Sequence, residues 1–231
     1  MKKKRTRLLS LLLCVSLILV SLPLSAIAAQ FSDVSSGAWY YEAVTSLADQ
    51  GIISGTGGNK FSPNSPITRG SFVTMLAKSV LTPGEVQQYQ FQGSFKDVKT
   101  SHWANPYVNW AVETGVADGY EDNTFRPDKR VTRQEMAVMV RNFAQSAGRK
   151  FPSINNPVTF KDQGKIASWA LEAVKLCQRA DVINGDADTG KFRPTDNASR
   201  AEAASICYKF LANCKTDGYS IVQKRVKNVA G

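Results

Sequence analysis

The chain repeats itself three times. Phe31-Ser-Asp33-Val, Phe95-Lys-Asp97-Val and Phe160-Lys-Asp162 open three segments whose starts lie 64 and 65 residues apart. Each segment continues with a tryptophan (Trp39, Trp103, Trp169) and, four and five positions on, with Ala43-Val44, Tyr107-Val108 and Ala173-Val174. Then come Gly55, Gly119 and Gly185, the runs Phe61-x-Pro63, Phe125-x-Pro127 and Phe192-x-Pro194, and an arginine six residues beyond each proline: Arg69, Arg133 and Arg200. A repeat constrains the fold more than any single motif, because each copy must form the same small unit and the copies must bury their apolar faces on one another. The copies span residues 31–81, 95–146 and 160–214.

Within a copy the apolar periodicity is helical. Trp39, Ala43, Val44 and Leu47 share one face, and Ala111 and Cys177 stand at the Leu47 position in the other copies. Gly51 and Gly115 mark the stop, where a left-handed residue is expected, and Asp181 stands there in the third copy. A second apolar stripe follows each arginine: Phe72, Val73, Leu76; Met136, Ala137, Val140; Ala203, Ala204, Cys207. Each unit therefore reads as helix, structured loop, helix, and the fold class as all-α. Residues 82–90 and 148–157 read as polar, helix-breaking linkers that could still pack on the body.

The start of each second helix carries the chemistry. Thr132-Arg133-Gln134-Glu135 and Ser199-Arg200-Ala201-Glu202 fit the capping box, while Thr68-Arg69-Gly70-Ser71 keeps the hydroxyl cap and loses the glutamate. The arginine falls at the first helical position, beside backbone N–H groups that no intrahelical acceptor can reach, at the positive end of the helix dipole. Two partners are open to it: a nearby acid such as Asp128 or Asp196, or a ligand carboxylate. Threefold repetition at the least favourable helix end favours the ligand, which arginine holds bidentately while the helix terminus adds further donors.

The order Phe-x-Asp-Val, Trp, Gly, Phe-x-Pro and Thr-Arg-x-Glu resembles the S-layer homology module, and the three copies cover about residues 31 to 213. The resemblance implies three modules in pseudo-threefold arrangement around a central helical bundle, monomeric, with grooves between lobes. It implies that those grooves bind secondary cell-wall polysaccharide ending in a pyruvylated amino sugar, and that Arg69, Arg133 and Arg200 contact the ketal carboxylate. Asp33, Asp97 and Asp162 read as helix-entry or loop hydrogen bonders that could also touch ligand. Trp39, Trp103 and Trp169 read as core, with stacking on a sugar ring as the alternative. Gly55, Gly119 and Gly185 complete the candidate ligand surface. Gly70 and Ser71 should loosen their helix start by about 1 kcal/mol, which marks the first copy's groove as the weakest. The enlarged loop Gly185-Asp-Ala-Asp-Thr-Gly190 alters the third.

Rival functions find little support. His102 is the only histidine and has no catalytic companion; Asn184, Asp186 and Asp188 alternate like a calcium loop, but Thr189 and Thr195 stand where that loop demands Gly and Glu. The reading calls for no cofactor and no metal, and leaves a surface protein-interaction scaffold without glycan binding as the alternative. The charge of +10 suggests nucleic acid only until it is located. Residues 1–28 carry five basic residues and no acid, the tail at 215–231 carries four against one, and between them 20 basic residues face 18 acidic ones. Lys2 to Arg7, an apolar core and Ala26-Ile-Ala28 have the layout of a secretory signal peptide over residues 1–28, with Cys14 inside it. The expectation is a protein secreted to the cell wall or S-layer of a bacterium, with no membrane partner after cleavage, either free-standing or the anchor of a longer chain. Cys177, Cys207 and Cys214 read as buried thiols, with a Cys177–Cys207 disulfide open to an exported protein.

Overall fold

The computed structural model describes residues 31–90, 93 and 95–216; the signal-peptide residues, Cys14 and most of the basic tail lie outside them. Seven α-helices account for the regular structure among the described residues: α1 (Tyr41–Asp49), α2 (Arg69–Lys78), α3 (Pro83–Gln87), α4 (Asn105–Glu113), α5 (Arg133–Ser146), α6 (Ser168–Arg179) and α7 (Arg200–Asn213). A 3-10 turn at Gln163–Lys165 precedes α6. The only extended pairing among these residues is a set of isolated bridges, so the all-α expectation holds.

Local signals account for the helix ends. Gly51, Gly115 and Asp181 adopt φ of 70°, 72° and 53° just past α1, α4 and α6. In each, the next residue's N–H reaches back to the last buried apolar position of the helix: Ile52 to Leu47 O at 2.9 Å, Val116 to Ala111 O at 2.7 Å, Val182 to Cys177 O at 2.8 Å. Thr132 and Ser199 close full capping boxes with Glu135 and Glu202, and Thr68 caps α2 through the Ser71 N–H. The first linker departs from expectation. Thr82 and Glu85 form a capping box with Pro83 at the first helical position, which turns a stretch read as helix-breaking into α3. Its end is tied down: Tyr89 is buried, and Asn109 Nδ2 donates to its carbonyl at 2.8 Å.

Packing joins the repeats in a cycle. α2 lies on α4, α5 on α6, and α7 returns to α1, so each second helix packs on the first helix of the next repeat. Just ahead of the second helices, three backbone bonds close a ring. Ile67 N–H donates to Ala198 O at 2.9 Å, Ala198 N–H to Val131 O at 2.9 Å, and Val131 N–H to Ile67 O at 3.1 Å. The apolar interior holds Phe72, Leu76, Met136, Phe143, Cys207 and Phe210, all buried, with the Phe143 and Phe210 rings 5.1 Å apart. Each such phenylalanine contributes about 1.5–3 kcal/mol of transfer free energy.

Candidate functional site

The loop between the two helices of a repeat is built by its aspartate. Asp33 accepts from Phe61 N and Ser62 N, both at 2.8 Å; Asp97 accepts from Phe125 N and Arg126 N at 2.8 and 2.7 Å; Asp162 accepts from Phe192 N and Arg193 N at 2.7 and 2.8 Å. The second residue of each pair, Ser62, Arg126 or Arg193, takes φ near 59°. Such a conformation is costly for a residue with a side chain and is held here by two charge-assisted bonds. Burial alone would raise the pKa of Asp33 and Asp162, but the two amides outweigh it and both end below the ordinary value. The loop-bonding reading of these aspartates is the one the geometry bears out.

Gly55, Gly119 and Gly185 are required by the opening phenylalanines. A Cβ on Gly55 would stand 2.8 Å from Phe31, on Gly119 2.0 Å from Phe95, and on Gly185 2.6 Å from Phe160. Those rings in turn pack on the buried Phe61, Phe125 and Phe192 at 5.5, 5.6 and 5.3 Å.

The arginines cross to a neighbouring repeat. Arg69 donates through Nε to Phe125 O (3.1 Å) and through Nη2 to Asp118 O (3.0 Å). Arg133 reaches Phe192 O and Asn184 O, both at 2.8 Å, and Arg200 reaches Phe61 O (2.8 Å) and Ser54 O (2.7 Å). Each guanidinium also lies over the loop phenylalanine, with its carbon 4.6–5.1 Å from the ring centre. Arg69 and Arg133 are only 6% and 4% exposed. Burial lowers the pKa of Arg133, with Glu202 opposing it, and burial lowers that of Arg200, with Asp33 opposing it.

The same crossing corrects the premise drawn from the helix ends. The first and second helical N–H groups are already satisfied by the neighbouring loop. Arg69 and Gly70 donate to Lys129 O and Pro127 O, Arg133 and Gln134 to Asp196 O and Pro194 O, and Arg200 and Ala201 to Ser65 O and Pro63 O, at 2.8–3.1 Å. The cap hydroxyl takes the third. A ligand carboxylate would therefore meet a guanidinium edge and no helix-terminal amide. Nor do the arginines pair with Asp128 or Asp196: Asp128 lies 3.8 Å from His102 Nε2, and Asp196 lies 3.7 Å from Arg193.

Three grooves result, each assembled from all three repeats. Groove one, of about 400 Å³, joins the Gly55 loop and α2 to Trp103 of the second repeat and Arg200 of the third. Groove two, of about 350 Å³, joins the Gly119 loop and α5 to Trp169 and Arg69. Groove three, of about 620 Å³, joins the Gly185 loop and α7 to Trp39 and Arg133. The tryptophans are thus not core. Trp39, Trp103 and Trp169 are 67%, 52% and 55% exposed. Trp39 and Trp103 precede the first helical residue, where helical periodicity does not apply, and Trp169 sits in the first turn of α6, which overhangs the groove.

Several lining residues carried no ligand role in the repeat pattern: Lys78 and Tyr107 in groove one, Tyr120 in groove two, Arg193 and Lys209 in groove three. Lys78 and Lys209 stand on second helices and Tyr120 beside the repeated glycine, while Tyr107 lies on α4 and Arg193 in the Phe-x-Pro run. In the loop that alternates like a calcium site, Asp186 Oδ1 accepts from Asp188 N and Thr189 N at 3.0 Å each and closes its own turn. Cys177, Cys207 and Cys214 are buried free thiols; burial raises all three, Cys207 to about 12 and Cys214 to about 11. The Cys177–Cys207 disulfide is not formed.

With the grooves described, the family follows from comparison with known proteins. The model of the S-layer homology domain matches residues 30–73, 94–137 and 159–204, more than half of the chain. The chain belongs to the S-layer homology family. An endoglucanase of Bacillus sp. (strain KSM-635) is 27% identical over 229 residues, covering 95% of the chain and 24% of that enzyme. S-layer protein EA1 of Bacillus anthracis is 27% identical over 184 residues, 80% of the chain and 20% of that protein. A cellulosome-anchoring protein of Acetivibrio thermocellus is 30% identical over 111 residues, 48% of the chain and 25% of that protein. The chain thus spans a quarter or less of the length of these relatives. S-layer homology membership and the surface-layer relatives make this a secreted protein associated with the bacterial cell wall or S-layer. No helix among the described residues is long and apolar enough to cross a membrane.

Proposed function

We propose that this S-layer homology chain anchors non-covalently at the bacterial cell surface, does no enzymatic chemistry, and holds secondary cell-wall polysaccharide with a pyruvylated amino-sugar terminus in its grooves. One observation carries the reading: in all three grooves a guanidinium and an exposed indole from two different repeats meet over the glycine loop of the third. A guanidinium edge suits a ketal carboxylate, and an indole face suits the apolar face of a sugar ring. The cyclic packing supports the pseudo-threefold arrangement, and several modest sites on one body give avidity to a polymer. The names of S-layer protein EA1 and the cellulosome-anchoring protein agree with a surface role, and the match to the endoglucanase covers only 24% of that enzyme.

Because each arginine also holds a neighbouring loop, replacing it mixes folding with binding. The tryptophans are exposed and separate the two. The variant Trp39→Ala/Trp103→Ala/Trp169→Ala should lose retention on purified wall polysaccharide while melting within a few degrees of the parent. Equal retention of parent and variant, or of native polymer and polymer stripped of its pyruvyl groups, overturns the proposal.

A further inference from the structure

The three grooves share a frame and differ in charge. In groove three the glutamate that caps α7 also turns into the groove: Glu202 Oε1 accepts from Arg133 Nη1 at 2.7 Å and from Arg193 Nη2 at 2.9 Å. The third edge of that guanidinium is thereby occupied. Three acids in the lining (Asp186, Asp188, Glu202) face three cations (Arg133, Arg193, Lys209). In groove two Arg69 faces Asp118 and Glu135, one cation against two acids. Groove one has two cations, Arg200 and Lys78, and no acid. Its helix carries Ser71 where the others carry the capping glutamate, and the Ser71 hydroxyl is turned back to the cap, accepting from Thr68 Oγ1 at 2.9 Å. Among the described residues neither Lys78 nor Nη1 of Arg200 has a hydrogen-bond or ion-pair partner.

The sequence reading marked groove one as weakest because Gly70 and Ser71 cost helix stability. The structure shows what they do instead. A Cβ on Gly70 would stand 3.0 Å from Pro127 O and 3.1 Å from Pro127 Cβ, so glycine lets α2 seat against the second repeat. Ser71 places no carboxylate in groove one, whereas Glu202 engages Arg133 in groove three and the equivalent Glu135 pairs with Lys129 at 3.4 Å in groove two.

Resting on the polysaccharide reading above, we infer that groove one is the principal site for the anionic sugar terminus, that Ser71 is the residue that makes it so, and that groove three is self-neutralised by Glu202. The ligand class for groove one is a monoanionic sugar whose carboxylate meets Arg200 and Lys78 while its ring lies along Trp103. Binding there weakens with salt, as two unpaired cations at a part-open surface require.

The test is calorimetric titration of the purified protein with a pyruvylated N-acetylhexosamine glycoside, beside its uncharged methyl ester. Trp103→Ala and Ser71→Glu should each weaken the tightest site at least tenfold, whereas Trp39→Ala should leave it within twofold. Ser71→Glu completes a capping box, so its loss of binding cannot be blamed on unfolding. If Trp39→Ala or Trp169→Ala removes the tightest site, or Ser71→Glu binds like the parent, the assignment to groove one is wrong. If the parent binds neither the sugar nor the wall polymer, the polysaccharide reading itself falls.

Discussion

In groove three the residue at the third position of the second helix, Glu202, does two things at once: Oε2 accepts from the Ser199 N–H at 2.8 Å, and Oε1 holds Arg133 and Arg193. In groove one Ser71 does neither: its N–H donates to Thr68 Oγ1 at 3.2 Å, its hydroxyl accepts from Thr68 Oγ1 at 2.9 Å, and Arg200 keeps a free edge. The frame beneath is the same in both. Asp33 and Asp162 hold their loops through the same pair of amides, Gly55 and Gly185 receive the same phenylalanine, and the crossing arginine meets two loop carbonyls in each. The difference shows that one helical position sets both the strength of the cap and the charge of the groove. In groove three the two requirements conflict: Glu202, which finishes the helix, also neutralises the Arg133 that a ligand would need.

The comparison breaks most visibly at the arginines. Arg133→Ala strips Glu202 of a buried partner and leaves two loop carbonyls unpaired, and should cost about 3–5 kcal/mol by urea denaturation. Arg200→Ala removes two bonds to carbonyls at a more open site, with no carboxylate left behind, and should cost about 1–3 kcal/mol. Equal losses would mean that Glu202 adds nothing to groove three. The glycines test the shared frame: Gly55→Ala and Gly185→Ala should each destabilise by about 1–3 kcal/mol, since each new Cβ would press on a packed phenylalanine. A twofold or larger disparity between them would show that the two frames are not equivalent.

Acid should act on both frames alike. The folded pKa of Asp33 and of Asp162 lies below the unfolded value, so their contribution is complete above that unfolded value, about 4, and is lost as pH falls through the lower, folded one. Denaturation midpoints should hold from neutrality to near pH 5 and fall below it, and Asp33→Asn or Asp162→Asn should flatten that limb. An acid limb unchanged in both variants would refute the assignment. The smallest effect is the most diagnostic of the conflict at the third helical position: Ser71→Glu should raise stability by about 0.5–1 kcal/mol, or roughly 1–4 °C in melting temperature, while lowering affinity for the charged sugar. Gain on both counts would remove the conflict.

Much of this was legible before any coordinates. Periodicity marked the buried faces of α1, α4 and α6 through Leu47, Ala111 and Cys177, and the left-handed stops at Gly51, Gly115 and Asp181 all hold, because both signals act within one or two helical turns. The caps of α2, α5 and α7 were legible for the same reason, and α3 was missed although Thr82 and Glu85 carry the same box, since Pro83 and Gly84 spoke for a linker. Trp39 and Trp103 were misplaced because a helical period was extended two residues ahead of the helix start, where backbone direction no longer obeys it, and Trp169 because it stands in the exposed first turn of α6.

From sequence alone came the three copies, their helices, their caps and the aspartates that tie each loop, all set by contacts within a single repeat. The tertiary structure alone decided where each arginine goes, since the carbonyls it meets lie 49 to 146 residues away in another copy. It also decided that the helix-terminal amides belong to the neighbouring loop, that the indoles face outward, and that a serine leaves one groove cationic while a glutamate closes another. Those outcomes depend on which repeat packs against which, and a repeat reads the same in sequence whichever neighbour it meets.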